Sequence, residues 1–80
     1  MTPHEVIERG RIAAALLDDV LLSEVVATAR EREISEWIKC ENPAERDGFW
    51  HRIHAIDTVP NELRKLVSRG SVESQKLDKP

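Results

Sequence analysis

The segment CENPA, residues 40–44, most constrains the fold because it separates two long segments whose apolar residues have helical spacing. Asn42 can cap a helix with its side chain, Pro43 suits the first helical position, and Glu45 places an acid in the first turn. A connection of only a few residues makes consecutive helices antiparallel neighbours. The sequence therefore predicts a helical hairpin that turns near residue 41.

The second arm of this hairpin contains a proline. Its apolar stripe lies at helical and heptad intervals and consists of Phe49, Ile53, Ile56, Leu63 and Val67. Pro60 falls inside the stripe, and a proline removes one backbone donor and clashes with the carbonyl four residues earlier. We therefore predict a kink or a break at Pro60, with helices at about 43–58 and 60–69. Gly70 is a natural helix end.

The N-terminal segment repeats the pattern of cap, proline and acid at Thr2, Pro3 and Glu5, which predicts a helix at about 3–18. Gly10 weakens that helix by about 1 kcal/mol relative to alanine. Asp19 can cap a further helix at about 20–40. The predicted fold is all-α, an antiparallel helical hairpin with an N-terminal helix and a proline-kinked or broken second arm. We predict that residues 1–70 form one domain and that residues 71–80 form a mobile tail.

The size and charge of the chain limit the functional classes to which it can belong. Eighty residues with a single cysteine exclude a disulfide framework, and no signal peptide or membrane-spanning run is visible. We expect a soluble intracellular protein with no membrane partner. The net charge is −3 with mixed signs, whereas nucleic-acid binders normally carry a basic stripe. A nucleic-acid binder that uses Arg64, Lys65 and Arg69 is therefore the weakest functional hypothesis.

Residues able to carry out chemistry do not form a motif. His51 and His54, with Cys40 or His4, could bind zinc, but the paired ligands of a structural zinc site are missing. Cys40 lies at a predicted helix C-terminus, where the helix dipole disfavours a thiolate. The sequence has no glycine-rich phosphate loop and no nucleophile signature. We predict no enzyme activity, no catalytic residue, no metal and no cofactor.

Two tryptophans flank the predicted turn. Trp37 and Trp50 either both stabilise the end of the hairpin, or Trp50 binds a partner, since buried tryptophans are common interface hot spots. Several other apolar residues have no obvious intramolecular cover, which suggests self-association or docking on a larger protein. The predicted partner-binding residues are Leu21, Val25, Trp50 and Val59.

The elements ALLDDVLLSE, EWI, ERDGFWHRIHAIDTV and SRG resemble a family of short helical proteins that tailed bacteriophages encode among their virion-assembly genes. The similarity covers about residues 12–70. Pro60 departs from the family pattern, whereas relatives often have proline at the position of Val20. The matching residues are Ala15, Leu16, Leu17, Leu21, Leu22, Glu24, Trp37, Arg46, Trp50, Ala55, Val59 and Leu63.

This resemblance implies a virion-associated or assembly protein that docks on, or oligomerises around, a larger capsid, portal or tail protein. The expected partners are a virion structural protein or further copies of the chain, and the expected location is the virion or the host cytoplasm. The alternative is a small phage-encoded regulatory module or inhibitor that acts on a host protein. The number of copies in purified particles distinguishes the two hypotheses.

Overall fold

A computed structural model of the chain describes residues 1–78, and these form three α-helices with no strand. Helix α1 spans Pro3–Asp18, α2 spans Val20–Lys39, and α3 spans Pro43–Asp78. The predicted all-α fold is confirmed. Helix α2 and the first part of α3 form the predicted hairpin, and α1 packs against the later part of α3.

Both predicted helix starts are present. The Thr2 hydroxyl accepts a hydrogen bond from the Glu5 backbone N–H at 3.2 Å. The Asn42 side-chain oxygen accepts one from the Ala44 N–H at 3.0 Å. Each bond satisfies an N–H that the first helical turn leaves without an intrahelical partner. Asp19 lies between α1 and α2, and its N–H donates to the Leu16 carbonyl at 3.2 Å, so the helices predicted at about 3–18 and 20–40 are separate.

Contacts divide the chain into two compact units, whereas the sequence predicted one domain over residues 1–70. The terminal unit consists of Met1–Asp19 and the part of α3 that begins at Pro60. The hairpin unit consists of Val20–Val59, which is α2 with the first part of α3. Helix α3 therefore contributes one segment to each unit.

Of the two alternatives predicted at Pro60, a kink or a break, the structure shows no break. Helix α3 continues through Pro60 as one helix. Shortly before it, the Thr58 hydroxyl donates to the His54 carbonyl oxygen at 3.0 Å. Tertiary packing explains the continuity, because α3 packs on α2 before Pro60 and on α1 after it. This packing offsets the loss of one backbone hydrogen bond.

The predicted helix end at Gly70 is wrong, since α3 continues to Asp78. Gly70 does not have the positive φ of a C-terminal cap; it is buried and contacts α1. Most of the predicted mobile tail is therefore helical, from Ser71 to Asp78. Residues 79–80 lie outside the described part of the chain, and the mobility of the tail stays a prediction.

Candidate partner-binding surfaces

The terminal unit is built on backbone contact between two helices. A Cβ atom added to Gly10 would lie 3.0 Å from the Leu66 carbonyl oxygen and 3.1 Å from the Gly70 Cα. Gly10, Gly70 and Ala13 are the buried residues of this unit, and Ala13 is 1% exposed. Small residues allow helix backbones to approach closely, but they bury little apolar area. The crossing therefore leaves the larger apolar side chains of both helices near the surface.

A shallow apolar groove lies beside this crossing. From α1 it is lined by Arg9, Ile12 and Leu16, and from α3 by Leu63 and Leu66. Ile12 is 53% and Leu16 is 41% exposed, and both line the groove. The residues that line this groove were not among the predicted partner-binding residues. The feature of the sequence that could have indicated the groove is the spacing of Ile12 and Leu16, which are four residues apart and therefore share one helix face.

Two ion pairs join the helices of the hairpin unit. The Arg30 guanidinium donates to the Asp57 carboxylate at 2.8 Å, and that of Arg52 donates to Glu33 at 2.9 Å. Around α3, Arg52 and Asp57 are about 140° apart, so the two pairs lie on opposite sides of the contact between the helices. The angle around each helix between an ion-pair residue and another residue therefore shows on which side of the hairpin that other residue lies.

The end of the hairpin is stabilised by Arg46, a role that was not predicted from the sequence. Its guanidinium lies 5.1 Å from the centre of the Trp37 ring and donates to the carbonyl oxygens of Trp37 and Cys40, at 3.3 and 2.8 Å. The Trp37 carbonyl belongs to the last turn of α2 and Cys40 directly follows the helix, so the cation also interacts favourably with the helix dipole. Trp37 is half-buried in this arrangement. It therefore contributes to the turn.

All four predicted partner-binding residues are exposed. The exposed fractions are 68% for Leu21, 57% for Val25, 51% for Trp50 and 48% for Val59. Exposure makes these side chains available to a partner, and their role in binding stays a prediction.

The four residues do not form one surface. Around the axis of α3, Val59 is about 20° from Arg52, and Trp50 is about 20° from Asp57. Because the two ion pairs lie on opposite sides of the hairpin, Val59 and Trp50 also lie on opposite sides. On α2, Val25 is about 80° from Glu33 and about 140° from Arg30, which places it on the side of Val59.

Leu21 is one turn before Val25 and shares its face. We call Leu21, Val25 and Val59 the Val25 face. On the opposite side, Ile38 is about 80° from Arg30 and is 69% exposed. We call Trp50 and Ile38 the Trp50 face. The hairpin unit thus presents two apolar faces on opposite sides.

The two histidines near the hairpin end contact Trp50. The His54 ring stacks on the indole with centroids 4.7 Å apart and planes 15° apart, and the His51 ring meets it edge-on at 5.1 Å. His51 also lies 3.3 Å from the Asp47 carboxylate. Within residues 1–78, no three His, Cys, Asp or Glu side chains are grouped to hold a metal ion. The contacts made by the histidines orient the exposed indole.

The basic residues Arg64, Lys65 and Arg69 of α3 lie close to side chains that accept hydrogen bonds. The Lys65 ammonium donates to the Glu62 carboxylate at 2.9 Å, and Arg64 donates to the Asn61 side-chain oxygen at 2.8 Å. The hydrogen bond from Lys65 lowers the pKa of Glu62, as do the charges of Lys65 and Arg69. Glu62 therefore stays ionised beside the cations. This arrangement disfavours a phosphate-binding stripe at Arg64, Lys65 and Arg69.

No helix in the described part of the chain combines the length and apolar character that crossing a bilayer requires. No protein-family model matches the chain, and neither the curated proteins nor the solved structures contain a match to it.

Proposed function

We propose that this chain is a non-enzymatic interaction protein, a virion-associated or assembly component of a tailed bacteriophage. It docks on, or oligomerises around, a larger capsid, portal or tail protein. The observation that carries the proposal is the pair of exposed apolar faces on opposite sides of the hairpin unit. The phage setting rests on the sequence resemblance, and the interaction role rests on these faces.

The exposed area supports an interaction role. In the hairpin unit, six large apolar side chains are exposed to solvent: Val20, Leu21, Val25, Ile38, Trp50 and Val59. Within residues 1–78 no large side chain is fully buried, so additional burial on a partner would supply apolar contacts that the chain alone lacks.

Two different faces favour assembly over simple pairing. A single self-complementary patch produces a two-fold dimer, whereas contact between unlike patches produces rings or extended arrays. The Val25 face carries aliphatic side chains, and the Trp50 face carries an indole held by two histidines. One face can therefore bind a large virion protein while the other binds the next copy of the chain.

Quantitative mass spectrometry of purified particles of the encoding phage tests this proposal. We expect several copies of the chain in each particle. Two variants, Val25→Asp and Trp50→Ala, should each lower the copy number because each removes apolar area from one face. Ser23→Asp provides the matched control, since Ser23 is an exposed residue of α2 that lies about 160° around the helix from Val25 and about four turns before Ile38. Wild-type incorporation of the control would show that added charge alone does not prevent assembly.

A chain that is absent from particles would contradict the virion role. If it instead bound one host protein in equal stoichiometry, the regulatory module would replace the assembly component as its function. If both face variants were incorporated like the wild type, the faces would have no part in assembly.

A further inference from the structure

The groove of the terminal unit has charged residues along its α3 edge. Leu66 lines the groove, while Val67, Ser71 and Ser74 line the opposite side of the crossing. Glu62 is four residues before Leu66 and Arg69 is three after it, so both share the Leu66 side of α3. The edge therefore has an acid at one end, leucine in the middle and a base at the other end. This order is self-complementary when the edge meets an antiparallel copy of itself.

We propose that the groove lined by Ile12, Leu16, Leu63 and Leu66 is the interface with a second copy of this chain, in which α3 lies antiparallel to α3 of that copy. Glu62 of each chain then faces Arg69 of the other, and the four apolar residues meet across a two-fold axis. The result is a four-helix arrangement that buries the side chains left exposed by the glycine crossing. This surface goes beyond the proposed function, which uses the hairpin unit.

Two dimers with a two-fold axis can be formed when the grooves of two copies face each other, and electrostatic interactions favour the one with α3 against α3. In the alternative, α1 would lie against α3 of the second copy. Because the crossing of Gly10 with Leu66 and Gly70 puts Arg9 and Arg69 at the same level, that dimer would bring these two cations together. The arrangement with α3 against α3 replaces this repulsion with two equivalent attractions between Glu62 and Arg69.

The size of the surface is sufficient for a dimer. Helix α1 has 16 residues and is therefore about 24 Å long. A pair of packed helices is about 20 Å across. This outline covers about 480 Å² before the relief of the side chains is counted, which is close to the roughly 500 Å² per partner that a specific interface needs. Its centre consists of aliphatic residues and its edge of charged residues, as in known protein interfaces.

A charge-swap experiment tests the dimer. Sedimentation equilibrium of the full chain should show a dimer, and Arg69→Glu or Glu62→Arg alone should raise the dimer Kd about tenfold or more, since like charges then meet twice. The double variant E62R/R69E should restore most of the affinity because it re-forms both pairs with exchanged signs. Arg64→Glu is the matched control: it makes the same charge change away from the groove and should leave the Kd unchanged.

Ile12→Lys tests the apolar centre. Ile12 is already 53% exposed, so the helix content should be retained while the dimer is lost. Ile38→Lys is the matched control in the hairpin unit and should leave this dimer intact, as should Val25→Asp.

A monomer at all concentrations, or a dimer insensitive to Ile12→Lys and to both single charge variants, would overturn the inference. Failure to restore affinity in E62R/R69E would overturn the antiparallel pairing of α3. Since Val25→Asp and Trp50→Ala test the hairpin unit, the virion proposal can fail while this dimer is confirmed, and the reverse also holds.

Discussion

The two units pack their helices against each other through different kinds of contact. In the terminal unit, α1 and α3 meet where side chains are absent, at Gly10 and Gly70, with Ala13 buried beside them. In the hairpin unit, α2 and α3 are separated by half-buried larger side chains and joined by the Arg30–Asp57 and Glu33–Arg52 ion pairs.

The two kinds of helix contact differ in how much change in side-chain volume they tolerate. Backbone atoms in close contact cannot move without shifting a whole helix, so the terminal unit should be sensitive to one added carbon. Long side chains can change rotamer or contact water, so the hairpin unit should lose stability in small, separable steps.

Gly10→Val should have the largest effect. Its Cβ would lie 3.0 Å from the Leu66 carbonyl oxygen and 3.1 Å from the Gly70 Cα, which are backbone atoms, and the γ-methyl groups need still more space. We expect a loss of about 3 kcal/mol in the free energy of unfolding, the upper part of the range for overpacking. Urea denaturation followed by circular dichroism measures it.

Gly48→Ala is the matched control in the hairpin unit. A Cβ there would approach only the flexible end of the Arg52 side chain, at 3.4 Å. The better helix propensity of alanine should then stabilise the protein by about 0.5–1 kcal/mol. Equal destabilisation by both variants would contradict the claimed difference between the units.

Pro60→Ala should have the next largest effect, with the opposite sign. Pro60 is inside α3 at the start of the terminal unit's second segment and costs the helix one backbone hydrogen bond. Alanine restores the donor, so we expect a gain of about 2 kcal/mol in the free energy of unfolding. The same denaturation experiment measures it. A loss of stability would show that the packing on both sides of the junction requires the proline.

The sequence predicted the features that depend on local chemistry. Thr2 and Asn42 were identified as caps because a cap requires only a side-chain oxygen and an N–H two or three residues later. The apolar stripe at Phe49, Ile53 and Ile56 followed from helical periodicity, and these residues are half-buried.

The sequence could not predict features that depend on distant pairing. From the sequence, Gly10 indicated only a destabilised helix and Gly70 only a helix end. The structure shows that these two residues, which are 60 positions apart in the sequence, contact each other and form the buried crossing. Similarly, the partner-binding residues were chosen one by one. Their division between the Val25 face and the Trp50 face depends on which sides of the hairpin carry the two ion pairs.

Arg46→Ala should cost about 1–2 kcal/mol, the largest effect expected from a single side chain in the hairpin unit. The variant loses hydrogen bonds to the Trp37 and Cys40 carbonyl oxygens and the contact with the indole ring. Arg46→Lys should recover only part of the stability, because an ammonium cannot reproduce the planar contact and both bonds. Thermal unfolding of the three proteins gives the order, and equal stability of wild type and Arg46→Ala would exclude this role.

The Arg30–Asp57 pair should give the smallest effect. Its side chains are 46% and 38% exposed, so water and salt screen the attraction despite the distance of 2.8 Å. A double-mutant cycle with Arg30→Ala and Asp57→Ala should yield a coupling free energy of about 0.5 kcal/mol, smaller again in 1 M NaCl. A coupling above roughly 2 kcal/mol, or one that salt does not reduce, would mean that the pair is effectively desolvated. In that case the hairpin unit would depend on single contacts as strongly as the glycine crossing does, and the contrast between the two units would fail.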